Sequence, residues 1–169
     1  ALSSGKKVLH VKNPGELPWI GLTLDWMKNL GLTVTHQNYK KYEIKGGESI
    51  DAFSYQVPGD FSSAAFPLAA GIVTNSTTSL STLDMQDAQG DKQLFLLLEK
   101  LGVNLSYNKE GKTFFLGEES SLPGAVIDVS CFIDALPILA VLGCYAKSPW
   151  RIYNAKIARK KESDRIHSI

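Results

Sequence analysis

At 169 residues, 44% of them hydrophobic, the chain has enough apolar side chains for one good core or two small ones. Its 18 basic and 17 acidic residues leave a net charge of +1, which gives no general attraction to nucleic acid or to an anionic membrane, so any anion site has to be local. The longest apolar run, residues 135–146, is too short for a membrane span and is interrupted by Pro137 and Gly143. No secretory leader is expected at the start, because Ala1-Leu2-Ser3-Ser4-Gly5-Lys6-Lys7 has no apolar core behind its charge. Cys131 and Cys144 fall in or beside one apolar segment without metal-ligand spacing, and are expected to be reduced, buried small hydrophobes of a cytosolic protein.

Taken in order, Val8–Val11 reads as a strand ended by the turn residues Asn13-Pro14-Gly15. Leu22, Leu24, Trp26, Met27 and Leu30 recur at helical spacing and stop at Gly31, a natural C-terminal cap. Strands follow over 32–37 and 42–44. Gly46-Gly47-Glu48-Ser49 reads as a linker, which places a domain boundary nearby. Phe53–Val57 is expected as a strand, and Asp60 as the N-cap of a helix over 61–73 with Ser62 and Ser63 in its first turn. Thr77–Leu83 alternates as a strand. A helix opened by Gly90-Asp91 turns Leu94, Leu97, Leu98 and Leu101 inward and closes at Gly102. Val103–Tyr107 and Thr113–Leu116 form a hairpin. A third unit opens with the strand Val126–Val129, continues through a helix over 134–146 and a strand over 150–153, and reaches a helix beginning near Lys161. The outline is therefore an α+β chain of α/β-like repeats with a period of roughly 60 to 70 residues, longer than solenoid repeats and suited to units packed around an axis.

Two places carry chemistry. In Arg159-Lys160-Lys161-Glu162-Ser163-Asp164-Arg165, a helix would make Glu162 and Arg165 neighbours and set Lys161 beside them. If it starts near Lys161, its free N–H groups and dipole reinforce the cations as a phosphate or carboxylate site; the plainer reading is a solvated helix start with an ion pair. Asp134 precedes an unbroken apolar helix, where an N-cap and a functional carboxylate are both open readings.

Lys161-Glu162-Ser163-Asp164-Arg165 resembles the signature of the enolpyruvyl-shikimate-phosphate synthase family. Three other stretches resemble the same family in order and spacing: Val57-Pro58-Gly59-Asp60-Phe61-Ser62-Ser63-Ala64-Ala65-Phe66, where that family's chain crosses between domains, Gln89-Gly90-Asp91 before a Leu-rich helix, and Ile133-Asp134-Ala135-Leu136-Pro137-Ile138-Leu139-Ala140, its catalytic aspartate motif. The resemblance implies an enolpyruvyl transferase fold of repeated βαβαββ units in two partial domains. Residues 1–47 would close the first domain, 48–58 cross over, and 59–169 open the second. It implies carboxyvinyl transfer from phosphoenolpyruvate to the 5-hydroxyl of shikimate 3-phosphate in a cytoplasmic, monomeric parent enzyme of chorismate synthesis, with no cofactor or metal, no nucleic acid and no membrane. Asp134 would be the base at the hydroxyl and a shikimate 3-phosphate contact, Glu162 the proton-transfer acid, Lys161 a second shikimate 3-phosphate contact and Arg165 a phosphoenolpyruvate ligand.

The sequence departs from that pattern in lacking the family's N-terminal lysine-serine-arginine motif, its phosphate-binding serine pair and its later arginine and lysine. A central fragment, inactive alone, is the resulting expectation. Glu16 stands where the family usually has a serine on the substrate phosphate, a repulsive choice, and Ile157 where some members have a polar side chain; neither is taken as a site residue. Asp60 could help order the cleft as well as cap. The competing readings are the sister transferase acting on a UDP-amino sugar, which lacks the Lys-Glu-Ser-Asp-Arg string, and a non-catalytic anion-binding or assembly module.

Overall fold

The computed structural model describes residues 2–169, and the chain divides between Val57 and Pro58 into two compact units. In the first, strand β1 (Lys7–His10) leads to helix α1 (Leu17–Asn29), then to β2 (Val34–Gln37) and β3 (Lys41–Ile44). β3 lies between the other two strands, antiparallel to both, with Tyr42 opposite Leu9 and His36. Pro18 sits in the first turn of α1, where its missing N–H costs nothing. Gly31, at φ +75°, follows the last turn and supplies the left-handed residue expected there. Gly46-Gly47 is not a loose linker, since the Gly47 N–H donates to the Ser3 carbonyl at 2.9 Å. Residues 53–57, expected as a strand, form no regular structure; Phe53 and Tyr55 instead pack on Trp26, with ring centroids 6.3 and 4.4 Å away. A strand needs a partner edge, and apolar alternation alone does not provide one.

The second unit is built on two helices apolar on most faces, α2 (Phe61–Thr74) and α4 (Leu136–Cys144). Between them run β4 (Thr78–Leu80), α3 (Lys92–Lys100), β5 (Leu105–Asn108), β6 (Thr113–Leu116) and β7 (Ala125–Asp128). β6 is the centre of an antiparallel sheet ordered β4-β6-β5. This repeats the first unit: strand, helix and hairpin, with the strand before the helix paired to the second hairpin strand. β7 and β8 (Trp150–Tyr153) form a parallel pair around α4, the βαβ crossover that parallel strands require. The mixed fold of alternating strands and helices expected from the sequence is the one observed.

The core joins Phe61, Leu68, Leu94, Phe95, Leu98, Leu139 and Leu142 among others. Phe61 and Phe95 meet edge-on at 5.2 Å, and Phe95 lies 4.8 Å from Phe114. Two aromatic anchors thus tie α2 and α3 to the sheet. α2 approaches the sheet closely: a Cβ on Gly71 would stand 2.5 Å from Thr78 Oγ1 and 2.6 Å from Leu116 Cδ2. Both cysteines are exposed, against expectation; Cys131 falls in the turn before α4 and Cys144 at its end, where an apolar sequence neighbourhood does not guarantee a buried face.

The C-terminal helix also differs from the reading above. A 3-10 helix covers Lys156–Lys160, and α5 spans only Arg165–Ser168, so Lys161 and Glu162 lie in a bend between them. Buried Ala158 anchors the first piece, and Asp164 starts the second by accepting the His167 N–H at 3.0 Å. No helix N-terminus at Lys161 is available to an anion. Among the described residues, no helix is long and apolar enough to cross a membrane.

Candidate active site

The side chains that matter gather at one end of the second unit because the core pins their neighbours. Phe132, Ile133 and Ala135 are buried around a 3-10 turn that precedes α4. Asp134 is the half-exposed residue of that turn and caps nothing: the position before α4 is Ala135, and neither helix start receives a side-chain cap. The N-cap reading of Asp134 is therefore wrong. Its carboxylate is used by residues about thirty positions later.

Arg165 Nη1 donates to Asp134 Oδ1 at 2.7 Å and Nη2 to Glu162 Oε2 at 2.8 Å, while Lys161 Nζ lies 3.3 Å from the same Asp134 oxygen. The side chains of Lys161, Asp134 and Arg165 are 16, 20 and 21% exposed; that of Glu162 is 80% exposed. All four residues singled out from the sequence thus meet in one network, with Glu162 on its solvent rim. The Glu162–Arg165 pair forms across the bend and first helical residue, not along a continuous helix. Next to it, Arg159 is tied to Asp164 at 2.9 Å, so the bend is held by its own ion pair.

The charges reinforce one another. Partial burial alone would loosen the Arg165 proton, but its contacts with Glu162 and Asp134 outweigh this and hold it more tightly than usual. Glu162 is held below the usual carboxylate range by its own backbone N–H and by the Arg165 guanidinium. With two cations and two carboxylates the cluster is neutral overall. An incoming carboxylate or phosphate competes with Asp134 and Glu162 for donors already in a fork-like arrangement.

Asp60 is an N-cap. It accepts the N–H groups of Ser62 and Ser63 at 3.2 and 3.1 Å and both their hydroxyls. Burial raises its proton affinity, but the bonds from Ser63 and Ser62 outweigh that and hold its carboxyl below the ordinary range. The two serine hydroxyls are spent on this cap. Gln89 then staples the start of α2 from the α3 side, accepting the Phe61 N–H at 2.9 Å and donating to the Gly59 carbonyl at 3.1 Å. Glu16 takes the left-handed conformation before α1, φ +47°, and Ile157 lies in the 3-10 helix.

One member escaped the sequence reading. Asp91, at the start of α3, is 4% exposed, makes no capping bond, and its Oδ1 has no partner. Burial first, then the charges of Asp134 and Asp60, push its carboxyl up to about 6, against the opposing pull of Lys161 and Arg165. In the sequence it stands out only as an aspartate at an expected helix start, within the Gln89-Gly90-Asp91 stretch that resembles the family. Among the described residues, no group of three His, Cys, Asp or Glu side chains is placed to hold a metal ion.

The family model for EPSP synthase (3-phosphoshikimate 1-carboxyvinyltransferase) matches residues 1–169. The chain belongs to the EPSP synthase family. It is 45% identical over 171 residues to the 3-phosphoshikimate 1-carboxyvinyltransferase of Chlamydia caviae, covering 100% of this chain and 38% of the relative. It is 47% identical over 161 residues to that of Chlamydia muridarum, covering 94% and 36%. The chain thus spans between a third and two fifths of the length of these relatives. An EPSP synthase structure from Acinetobacter baumannii superposes with a TM-score of 0.72 at 22% identity, over 97% of this chain and 38% of that one. The enolpyruvyl transferase NikO from Streptomyces tendae gives a TM-score of 0.65 at 18% identity, over 90% and 37%. At these identities the two structures speak for the fold, which is the enolpyruvyl transferase fold. The stretch Lys161–Arg165, whose sequence resembles that family, forms the bend and the first residue of α5.

Proposed function

We propose that this chain supplies part of the catalytic site of an enzyme that transfers the carboxyvinyl group of phosphoenolpyruvate to the 5-hydroxyl of shikimate 3-phosphate, releasing phosphate. The observation that carries the reading is the Asp134 carboxylate held between Lys161 and Arg165, with Glu162 on the second arm of the arginine. In the first stage the hydroxyl oxygen bonds to the central carbon of phosphoenolpyruvate, its proton passing to Asp134 while the methylene carbon gains a proton from Glu162. In the second the methyl carbon returns a proton and the C–O bond to phosphate breaks, restoring the double bond. The proton gained and the proton lost at carbon cancel, and the hydroxyl proton leaves with the products.

The resting network suits these roles. The low proton affinity of Glu162 comes first from its own backbone N–H and then from the Arg165 guanidinium that faces it. When the phosphoenolpyruvate carboxylate takes the guanidinium, Glu162 loses that cation and its affinity for a proton rises toward what an acid catalyst needs. In this reading Lys161, which pairs with Asp134 at rest, turns to the phosphate of the second substrate and leaves Asp134 to act as base. In this proposal residues 1–47 belong to the first domain, 48–58 to the crossover and 59–169 to the second domain of a monomeric cytoplasmic enzyme, and the chain alone does not turn over.

The test is phosphate release by the full-length product of the native gene with both substrates. Turnover that falls by about two to four orders of magnitude in Asp134→Ala and in Glu162→Gln supports the roles, that being the usual worth of acid–base groups. A full-length protein that binds both substrates and releases phosphate equally well without either carboxylate overturns them.

A further inference from the structure

Asp91 has no structural employment in the fold. It stands where α3 begins, in helical rather than capping geometry, and offers its carboxyl to none of the free N–H groups of that helix. Burying a carboxyl with an oxygen unpartnered is unfavourable, and nothing in the packing of α3 offsets it. Leu94, Phe95 and Leu98 already seat that helix in the core. The charged groups that act on Asp91 are those of the site: Asp134 from the turn before α4, Asp60 from the start of α2, Lys161 from the bend and Arg165 from α5. Of the remaining polar groups nearby in the chain or on the packed elements, Lys92 donates to the carbonyls of Met85 and Asp87. On β5, the Tyr107 hydroxyl donates to the Leu83 carbonyl.

We propose that Asp91 is a proton-coupled positioning residue of the anion site: when an anion engages Lys161 and Arg165, Asp91 takes up a proton from solvent. The inference rests on the reading of Lys161 and Arg165 as anion ligands. It follows from electrostatics in a partly dry site. In the resting protein the two cations offset the repulsion of Asp91 by Asp134 and Asp60. A bound anion adds negative charge and neutralises the same cations, so the ionised form of Asp91 loses support and the neutral form gains. With a midpoint near 6 in the resting state, the uptake occurs above that pH. By linkage, anion binding tightens as pH falls toward 6, by at most about tenfold per pH unit for one proton.

Sulfate, a dianion that does not titrate in this range, is the probe. The 169-residue chain labelled at aspartate carboxyl carbons is titrated with acid by NMR, with and without saturating sulfate, and sulfate binding is measured by calorimetry from about pH 8 to 6 for the native chain and Asp91→Asn. The expected result is an upward shift of the Asp91 midpoint on sulfate binding, with proton uptake that disappears in Asp91→Asn while sulfate still binds. If sulfate perturbs Lys161 and Arg165 yet leaves the Asp91 midpoint in place, the inference is overturned and the anion site stands. If Lys161 and Arg165 do not respond to sulfate at all, the anion reading falls and takes the inference with it. The native-chain NMR titration decides the matter even if the asparagine variant does not fold.

Discussion

Replacing Asp91 by Asn is expected to make the protein more stable at neutral pH, the opposite of the usual outcome for a buried position. The carboxyl titrates near 3.8 when unfolded and about 6 when folded. Between those values the folded state holds a proton that the unfolded state has lost, so native stability falls as pH rises through this window and stays low above it. Two pH units at 1.36 kcal/mol each give a cost approaching 3 kcal/mol at pH 7, and about 2 kcal/mol is the expected gain once the residual access of water is discounted. Asparagine keeps the shape and removes the charge, though its amide also needs a partner. Urea unfolding of both proteins at about pH 7.5 and pH 4 measures the difference. The variant should be the more stable at the higher pH, and most of the difference should vanish at the lower, where the native carboxyl is protonated in the folded state and close to its midpoint in the unfolded one. An Asp91→Asn protein that is less stable than the native one by the same amount at both pH values would refute the argument and make Asp91 an ordinary structural hydrogen-bonding residue.

Asp60→Ala removes the acceptor for two helical N–H groups and two hydroxyls and should cost about 1 to 2 kcal/mol in denaturant unfolding. Because the Asp60 carboxyl is held below its ordinary range, its contribution is full above the unfolded midpoint near 3.8 and is lost as pH falls through the lower folded one, so the alanine variant should show a shallower acid transition. Gly71→Val, which drives a side chain toward Thr78 and Leu116, is expected to separate α2 from the β4-β6 edge and lose more than about 2 kcal/mol, read as a drop in melting temperature. Leu139→Ala, at a fully buried position of α4, should cost about 2 to 5 kcal/mol through lost transfer energy and a cavity; an unchanged melting temperature would show that α4 is not packed as described.

Much of this protein was decided within short stretches of sequence. The Asp60 cap with its two serines, the helix ended by Gly31, the α3 leucines and the β5-β6 hairpin each depend on residues within a few positions of one another, and the local rules were enough to place them. The Glu162–Arg165 pair is also local, three residues apart, so it survived even though the helix assumed for it did not form. The resemblance of Lys161–Ile166 and Ile133–Ala140 to one family pointed to the right fold, since motifs so spaced are hard to keep in another one.

Long-range packing decided the rest. No local pattern says that Asp134 answers Arg165 across 31 residues instead of capping α4; burial of Phe132, Ile133 and Ala135 aims it there. Residues 53–57 have the composition of a strand but no partner edge, and pairing is not encoded in the strand itself. The start of α5 at Arg165 follows from the seating of Ala158 in the core and the use of Asp164 as a cap, which leaves Lys161 and Glu162 in a bend. Asp91 shows the division most clearly. From sequence it is one more acidic residue at a helix start, and only the convergence of α2, α3, the turn before α4 and the bend removes it from water among like charges, because a side chain's dielectric surroundings belong to the whole fold.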